Sequence, residues 1–323
     1  MKREKMVSIF FILLLALAAP LQAQLKFPSK PVTIVVPYPP GGSNDTFARE
    51  LAKKLIETWR MPVIVENKPG AGGSIGATFV AKAAPDGYTL CLLSSSFTTN
   101  AAIQPSLPFD PVNGFTPVAM VAKGPMILTV ALHVPAKTTF ELFDYARKHP
   151  GQLNYATSGQ GGTNHFATEL LMNAAHIRMT HVPYKGMPPA ITDLLGGHVD
   201  VLIASGPSIY QHVKAGRVRG IGVTSAGPSE VVPDLRPISE MGLPGYHFEL
   251  WWGILAPPGL PAELLEKINA DVNRLLATPE MKEVFLREGA EPAPMSPREF
   301  ARTIRDEIEG WKKVAKEANI KAE

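Results

Sequence analysis

Val32-Thr33-Ile34-Val35-Val36-Pro37-Tyr38-Pro39-Pro40-Gly41-Gly42-Ser43-Asn44-Asp45 sets the architecture. Residues 32–36 are all β-branched and read as a short buried strand. The prolines and glycines of 37–42 end it. From Asp45 onward Phe47, Leu51, Leu55 and Trp59 recur every fourth residue, which predicts a helix over 45–59. The next stretch repeats the order, with a strand at 62–65 and a helix at 74–83. Strand, helix, strand, helix implies a parallel sheet flanked by helices.

The same grammar restarts in the middle of the chain. Strands are expected at 126–130, 153–157, 178–182 and 199–204, and helices after Thr138, after residue 163 and at 189–195. Thr138-Thr139-Phe140-Glu141 fits a capping box. Three helices close the chain, at 262–276, after Thr278-Pro279, and after Ser296-Pro297-Arg298-Glu299, another capping box with Pro at its first helical position.

Two strand-to-helix connections share a design. One is residues 36–45; the other is Thr157-Ser158-Gly159-Gln160-Gly161-Gly162-Thr163-Asn164-His165. Glycine lets backbone approach a ligand. A helix N-terminus offers unpaired N–H groups and partial positive charge, so such a loop holds a carboxylate or phosphate without Lys or Arg. An ordinary capped turn explains one such loop; two of them, in separate halves of the chain and at the carboxyl ends of strands, favour a site. Asp45 is expected to act as a helix acid or cap, since it would repel an anion. The polar stretch 94–100, after the strand at Leu90, is read equally as a solvated loop or a site contributor.

The N-terminus is read as a signal peptide over residues 1–23: basic Lys2, Arg3 and Lys5, an apolar run from 7 to 19, then Pro20 and a small-residue end at Ala23. The run is shorter than the roughly 20 residues a membrane anchor needs. Its removal leaves 300 residues and takes the formal charge from +3 to +1. A nearly neutral chain without like-charge runs is a poor match for nucleic acid. The single cysteine, Cys91, lies in an apolar run and cannot form an internal disulfide; a buried, inert thiol is expected.

Enzyme signals are sparse. H-E-x-x-H and G-x-x-x-x-G-K-[ST] are missing from the sequence. His165 and Glu169 stand one helical turn apart, but two ligands do not make a zinc site. Residues 70–76 depart from G-x-G-x-x-G in spacing and follow Pro69, so neither a nucleotide cofactor nor a metal is expected.

Five motifs in order, Pro37-Tyr38-Pro39-Pro40-Gly41-Gly42, Asn67-Lys68-Pro69-Gly70-Ala71-Gly72-Gly73-Ser74-Ile75-Gly76, Pro85-Asp86-Gly87-Tyr88-Thr89-Leu90, Ser158-Gly159-Gln160-Gly161-Gly162-Thr163 and His181-Val182-Pro183-Tyr184-Lys185-Gly186, resemble the Bug family, the periplasmic solute receptors of the tripartite tricarboxylate transporter type. The resemblance implies an α/β two-domain type II periplasmic-binding-protein fold with the ligand cleft between domains. It places domain 1 at 24–124 and 226–323 and domain 2 at 125–225. It implies a monomeric, non-enzymatic periplasmic receptor for a small carboxylate solute, working with transporter membrane subunits and needing no cofactor. The expected ligand-binding residues are Tyr38, Pro40, Gly41, Gly42, Ser43, Ser94, Ser95, Thr157, Ser158, Gly161, Gly162, Thr163, Asn164, Tyr184 and Ser205. Many members carry an acid where this chain has Ala204, which argues against an amino-acid ligand. A sensor feeding a signalling partner, and a hydrolase on a similar frame, are the competing readings.

Overall fold

The computed structural model describes residues 27–104, 106–317 and 320–321. The signal peptide expected at 1–23 lies outside them. The first strand, β1 (Val32–Val36), is buried at every position but Thr33 and pairs in parallel with β2 (Val63–Asn67) and β3 (Thr89–Ser94). Helix α1 (Ser43–Trp59) buries Phe47, Ala48, Leu51, Leu55 and Trp59 along one stripe. Each large apolar side chain removed from water contributes about 1.5–3 kcal/mol. Arg60, in the left-handed region at φ 55°, ends the helix by donating its N–H to the Ile56 carbonyl. Helix α2 (Ser74–Ala81) follows β2, and α3 (Ser96–Ile103) follows β3. Residues 94–100 are thus a strand end and a helix start, where the sequence left a loop open.

The sheet is mixed rather than parallel. β4 (Thr116–Val130) runs antiparallel to β9 (Glu249–Ala256) over residues 116–125, then antiparallel to β7 (Val201–Ser205) and β8 (Arg219–Val223) over 126–130. One fifteen-residue strand therefore joins two sheet regions. The order β2-β1-β3-β9-β4 continues as β7-β5-β6, with β5 (Asn154–Thr157) and β6 (Thr180–Pro183) parallel to one another. The parallel expectation holds within β1–β3 and within β5–β7. It fails where β4, β8 and β9 return through the middle. Thr224, fully buried, stitches that crossing: its hydroxyl accepts from the Met126 N–H at 2.8 Å, and its carbonyl accepts from the Phe248 N–H at 2.7 Å.

Helices α4 (Thr139–Lys148), α5 (Thr163–Ala175), α6 (Met187–Gly196) and α7 (Gly206–Lys214) flank the second region; α8 (Ala262–Leu276), α9 (Pro279–Arg287) and α10 (Pro297–Glu317) return to the first, with the short β10 (Glu291–Pro292) pairing β4. One capping box forms in full, with Glu299 and Ser296 exchanging bonds in both directions. The other forms by half, since the Thr138 side chain accepts from the Glu141 N–H but the Glu141 carboxylate accepts from the Lys137 N–H and not from that of Thr138. Cys91 is fully buried in β3, and burial pushes its thiol far up, so the thiolate is disfavoured. Phe47 packs edge-on against Trp252 of β9 at 4.7 Å and Phe285 of α9 at 4.9 Å. Trp311 of α10 stacks on Phe248 at 5.0 Å and meets Phe166 of α5 edge-on at 5.8 Å, so the last helix touches both regions.

Candidate functional site

The connection from β1 to α1 is held from beneath. Gly41 takes φ +84°, and its N–H donates to Asp45 Oδ2 at 3.0 Å. Asp45 also pairs with Arg49 at 2.8 Å and accepts from Asn67 at 3.0 Å. Burial pushes its carboxyl up, but the bonds from Arg49, Gly41 and Asn67 outweigh that and hold it below the usual range. Asp45 is a structural brace, as expected. The first intrahelical bond runs from the Thr46 N–H to the Gly42 carbonyl, so the N–H groups of residues 43–45 precede the helical ladder. Ser43 Oγ accepts from Trp252 Nε1 at 3.1 Å, which leaves its own hydroxyl proton to donate. Asn44 is only 7 % exposed, and its Nδ2 has no partner among the described residues.

The connection from β5 to α5 repeats this geometry residue for residue. Gly161 takes φ +73°, and its N–H donates to His165 Nδ1 at 3.2 Å. The Phe166 N–H makes the first helical bond, to the Gly162 carbonyl. Asn164 is 1 % exposed; Ser158 Oγ donates to its Oδ1 at 3.1 Å, and its Nδ2 is again unpaired among the described residues. His165 stacks on His181 at 4.4 Å, and His181 Nε2 lies 2.7 Å from Thr157 Oγ1. Burial, aided by His181, pushes the His165 imidazole down to about 4, so it is the neutral acceptor that Gly161 needs. Tyr155 donates to Glu169 below the stack.

The two loops face each other across a cavity. Thr163 Oγ1 lies 3.1 Å from Ser96 Oγ, a direct contact between the walls. Of the expected residues, Tyr38, Gly42, Ser43, Ser94, Ser158, Thr163, Asn164 and Ser205 line the cavity. The others stand elsewhere. Pro40 is exposed, and Pro39 takes the lining position. The Gly41 and Gly161 N–H groups are committed to Asp45 and His165, so these glycines shape the loops and do not donate inward. Ser95 is buried outside the lining, and Thr157 bonds His181. Gly162 and Tyr184 line the wider mouth, where the Tyr184 hydroxyl donates to Asp193 at 2.6 Å. Ala204 is fully buried and outside the lining, while its neighbour Ser205 faces in and contacts Ser208 Oγ at 2.9 Å. An acid at position 204 would not stand in this cavity, so the argument about an ammonium loses its basis.

Sequence reasoning left Asn44 and Ser96 off the list of ligand-binding residues, although both lie in stretches it singled out, and it missed Ser208 and the apolar floor of Met126, Leu250 and Trp252. Asn44 was findable: Gly41-Gly42-Ser43-Asn44 stands in register with Gly161-Gly162-Thr163-Asn164. Trp252 was not, because β9 was not picked out as a strand. No charged side chain lines the cavity among the described residues, and no group of three His, Cys, Asp or Glu among them has metal-binding geometry. The cavity therefore offers helix N-termini, hydroxyls and two bare amides, a donor-rich set suited to an anion bound without an ion pair.

Comparison with known proteins agrees in kind. The sequence profile described as "Tripartite tricarboxylate transporter family receptor" matches residues 47–320. The chain is 37 % identical over 297 residues to a UPF0065 protein of the tcbD–tcbE intergenic region of Pseudomonas sp. strain P51, covering 92 % of this chain and 88 % of that one. It is 34 % identical over 313 residues to Protein BugT of Bordetella pertussis, covering 96 % of each. Among solved structures, R. palustris Rpa4515 with adipate superimposes with a TM-score of 0.89 at 35 % identity, covering 91 % of this chain and 99 % of that one. MatC from Rhodopseudomonas palustris with bound malate gives 0.84 at 34 %, covering 89 % and 99 %.

Proposed function

The chain belongs to the tripartite tricarboxylate transporter receptor family, and on that premise we propose that it captures a small carboxylate solute in the periplasm by closing two domains around it, for delivery to transporter membrane subunits. The observation that carries the carboxylate is the pair of buried, unpartnered amides, Asn44 Nδ2 and Asn164 Nδ2, each in the first turn of a helix whose N-terminus faces the cavity. A buried donor without a partner costs about 1–3 kcal/mol. A carboxylate between the two helices accepts from both. Adipate and malate, held by the two R. palustris relatives, are such solutes.

The domain boundaries are drawn at 124/125 and 225/226. Between Pro125 and Met126, β4 exchanges β9 for β7 as partner, and the chain leaves β8 at Val223 to rejoin β9 at Glu249. The Ser96–Thr163 contact then spans the cleft in a closed state. We read the site as one for binding and not for reaction. Among the described residues no His, Asp or Glu stands in the cavity lining, and His165 turns Nδ1 to the Gly161 N–H, which supports a site without a general base. We take the protein as a monomer in this role.

A thermal-shift screen of mono-, di- and tricarboxylates, aromatic acids and amino acids, followed by calorimetry, tests the reading. At least one carboxylate should raise the midpoint, and small-angle scattering should show a smaller radius of gyration with it bound. Stabilisation by none of these acids would defeat the proposal; a bound carboxylate with unchanged shape would defeat the closure.

A further inference from the structure

The two domains meet through glycine. Three glycines of domain 2 stand against domain 1 at points where a side chain would not fit. At the mouth, a Cβ on Gly186 would lie 2.7 Å from Pro39 Cγ. Midway, one on Gly161 would lie 2.4 Å from Ile103 Cδ1 and 2.8 Å from Asn100 Oδ1, both on α3. At the rear, one on Gly206 would lie 2.3 Å from the Gly289 carbonyl oxygen and 2.9 Å from that of Glu288. This last neighbour is backbone and cannot swing aside as a side chain can.

Gly186 and Gly161 take φ +112° and +73°, so their own turns already call for glycine. Gly206 has no positive φ. It opens α7, where glycine disfavours the helix. The close approach of the turn at 287–289 accounts for it. Gly206 packs directly on Gly289, and farther along the same helix Gln211 Nε2 donates to the Arg287 carbonyl at 2.9 Å. Ser205 and Ser208, on either side of Gly206, line the cavity. One end of α7 therefore touches both the solute's space and the other domain.

We propose that this glycine seam sets how far the cleft closes, and that Gly206 is the positioning residue at its rear: its missing side chain lets α7 seat on the 287–289 turn while Thr163 meets Ser96 across the cleft. The inference rests on the closure reading above. The seam parts when the cleft opens, so an added side chain at Gly206 obstructs the closed state and leaves the open one intact.

Disulfide trapping in the purified protein tests this without any solute. Ser96→Cys together with Thr163→Cys puts a thiol at each of two positions whose oxygens lie 3.1 Å apart, so the cross-link forms in closed molecules. Cys91 is fully buried and does not compete. The oxidation rate then follows the closed fraction. Adding Gly206→Ala should slow the cross-link roughly tenfold or more, the cost of an overpacked contact expressed as an equilibrium constant. The thermal midpoint of the reduced protein should stay the same or rise slightly, since alanine favours α7. A cross-link that Gly206→Ala does not slow overturns the inference and leaves closure standing. A fall in the reduced midpoint alongside the slowing overturns it too, because the contact would then belong to the open molecule as well. No cross-link even with Gly206 in place overturns the closure reading and the seam with it.

Discussion

The cleft's two walls are built from one device with two different braces. Gly41-Gly42-Ser43-Asn44-Asp45 and Gly161-Gly162-Thr163-Asn164-His165 share a left-handed glycine, a glycine N-cap, a hydroxyl, a bare amide, and a bond from the first glycine's N–H to the side chain four residues on. What differs is that last acceptor. In one wall it is a carboxylate that Arg49 and Asn67 keep ionised; in the other it is an imidazole that burial keeps neutral. Donation toward the solute demands the same backbone on both sides, whereas holding that backbone only demands an acceptor. The shared features are thus the ones facing the cavity, and the variable one lies beneath it.

If the walls act as equals, damaging either amide should be equally severe. Asn44→Asp and Asn164→Asp each put a carboxylate where the solute's own is bound. Like charges in a desolvated contact cost several kcal/mol, so each variant should weaken a carboxylate by roughly 100-fold or more. Calorimetry on both, with circular dichroism as a check on the fold, makes the comparison. A loss in only one of them would mean that the solute's acid belongs to one wall and that the symmetry is architectural.

The brace should be separable by pH. The folded-state value of His165 lies near 4, below the ordinary 6.5, so its contribution is fully present above pH 6.5 and is lost as pH falls through about 4. Glu169, beside it with Tyr155 and His181, is pushed up by burial and works in the opposite sense, since it gains its proton more readily in the folded state. The difference between variants therefore carries the test. His165→Gln keeps an acceptor for Gly161 but does not titrate; its thermal midpoint should fall less than the wild type's between pH 6.5 and 4, by a few degrees. Asp45 should contribute little there, because its carboxyl is held below the usual range and its contribution is lost mainly below pH 4. Parallel curves for His165→Gln and wild type would remove His165 from the brace.

How much of this was legible follows from where the signals lie. The strands and helices around residues 32–67 and 153–196 were readable because each element there has its own periodicity and its own punctuation in glycine, proline or a cap. β9 was not, because Glu249-Leu250-Trp251-Trp252-Gly253-Ile254-Leu255-Ala256 is buried on both faces and shows no alternation. Its neighbours in the sheet, β3 and β4, come from the other end of the chain. The two loops were legible as site material from composition alone. Which of their groups face inward was not: Pro40 and Pro39 look alike in sequence, and only the register of the helices shows that the N–H groups of Gly41 and Gly161 are already taken.

Single hydroxyls should matter less than the amides and about equally in the two walls. Thr163→Val keeps shape and removes a donor along with the contact to Ser96; Ser43→Ala removes a donor and leaves Trp252 Nε1 without its acceptor. A neutral donor contributes about 0.5–1.5 kcal/mol, more toward a charged partner, so each should weaken binding roughly five- to tenfold. A change below twofold in both would place the solute away from the helix termini.

The smallest effect is expected at Lys185, among the described residues the one cation bordering the mouth. It is exposed and lines the wider mouth, not the inner cavity. An exposed ammonium facing water gives modest attraction that salt screens within about 8 Å at physiological ionic strength. A lysine so placed can rest its four-carbon stem along the rim and keep its charge solvated. Lys185→Met should therefore change the affinity for a short carboxylate by less than twofold at physiological salt, and only slightly more in dilute buffer. The alternative is an ion pair, and it predicts the reverse ranking. If Lys185→Met costs more than tenfold while Thr163→Val and Ser43→Ala hardly matter, the solute is held by one charge at the mouth. The matched helix termini would then be two well-formed turns that happen to face each other.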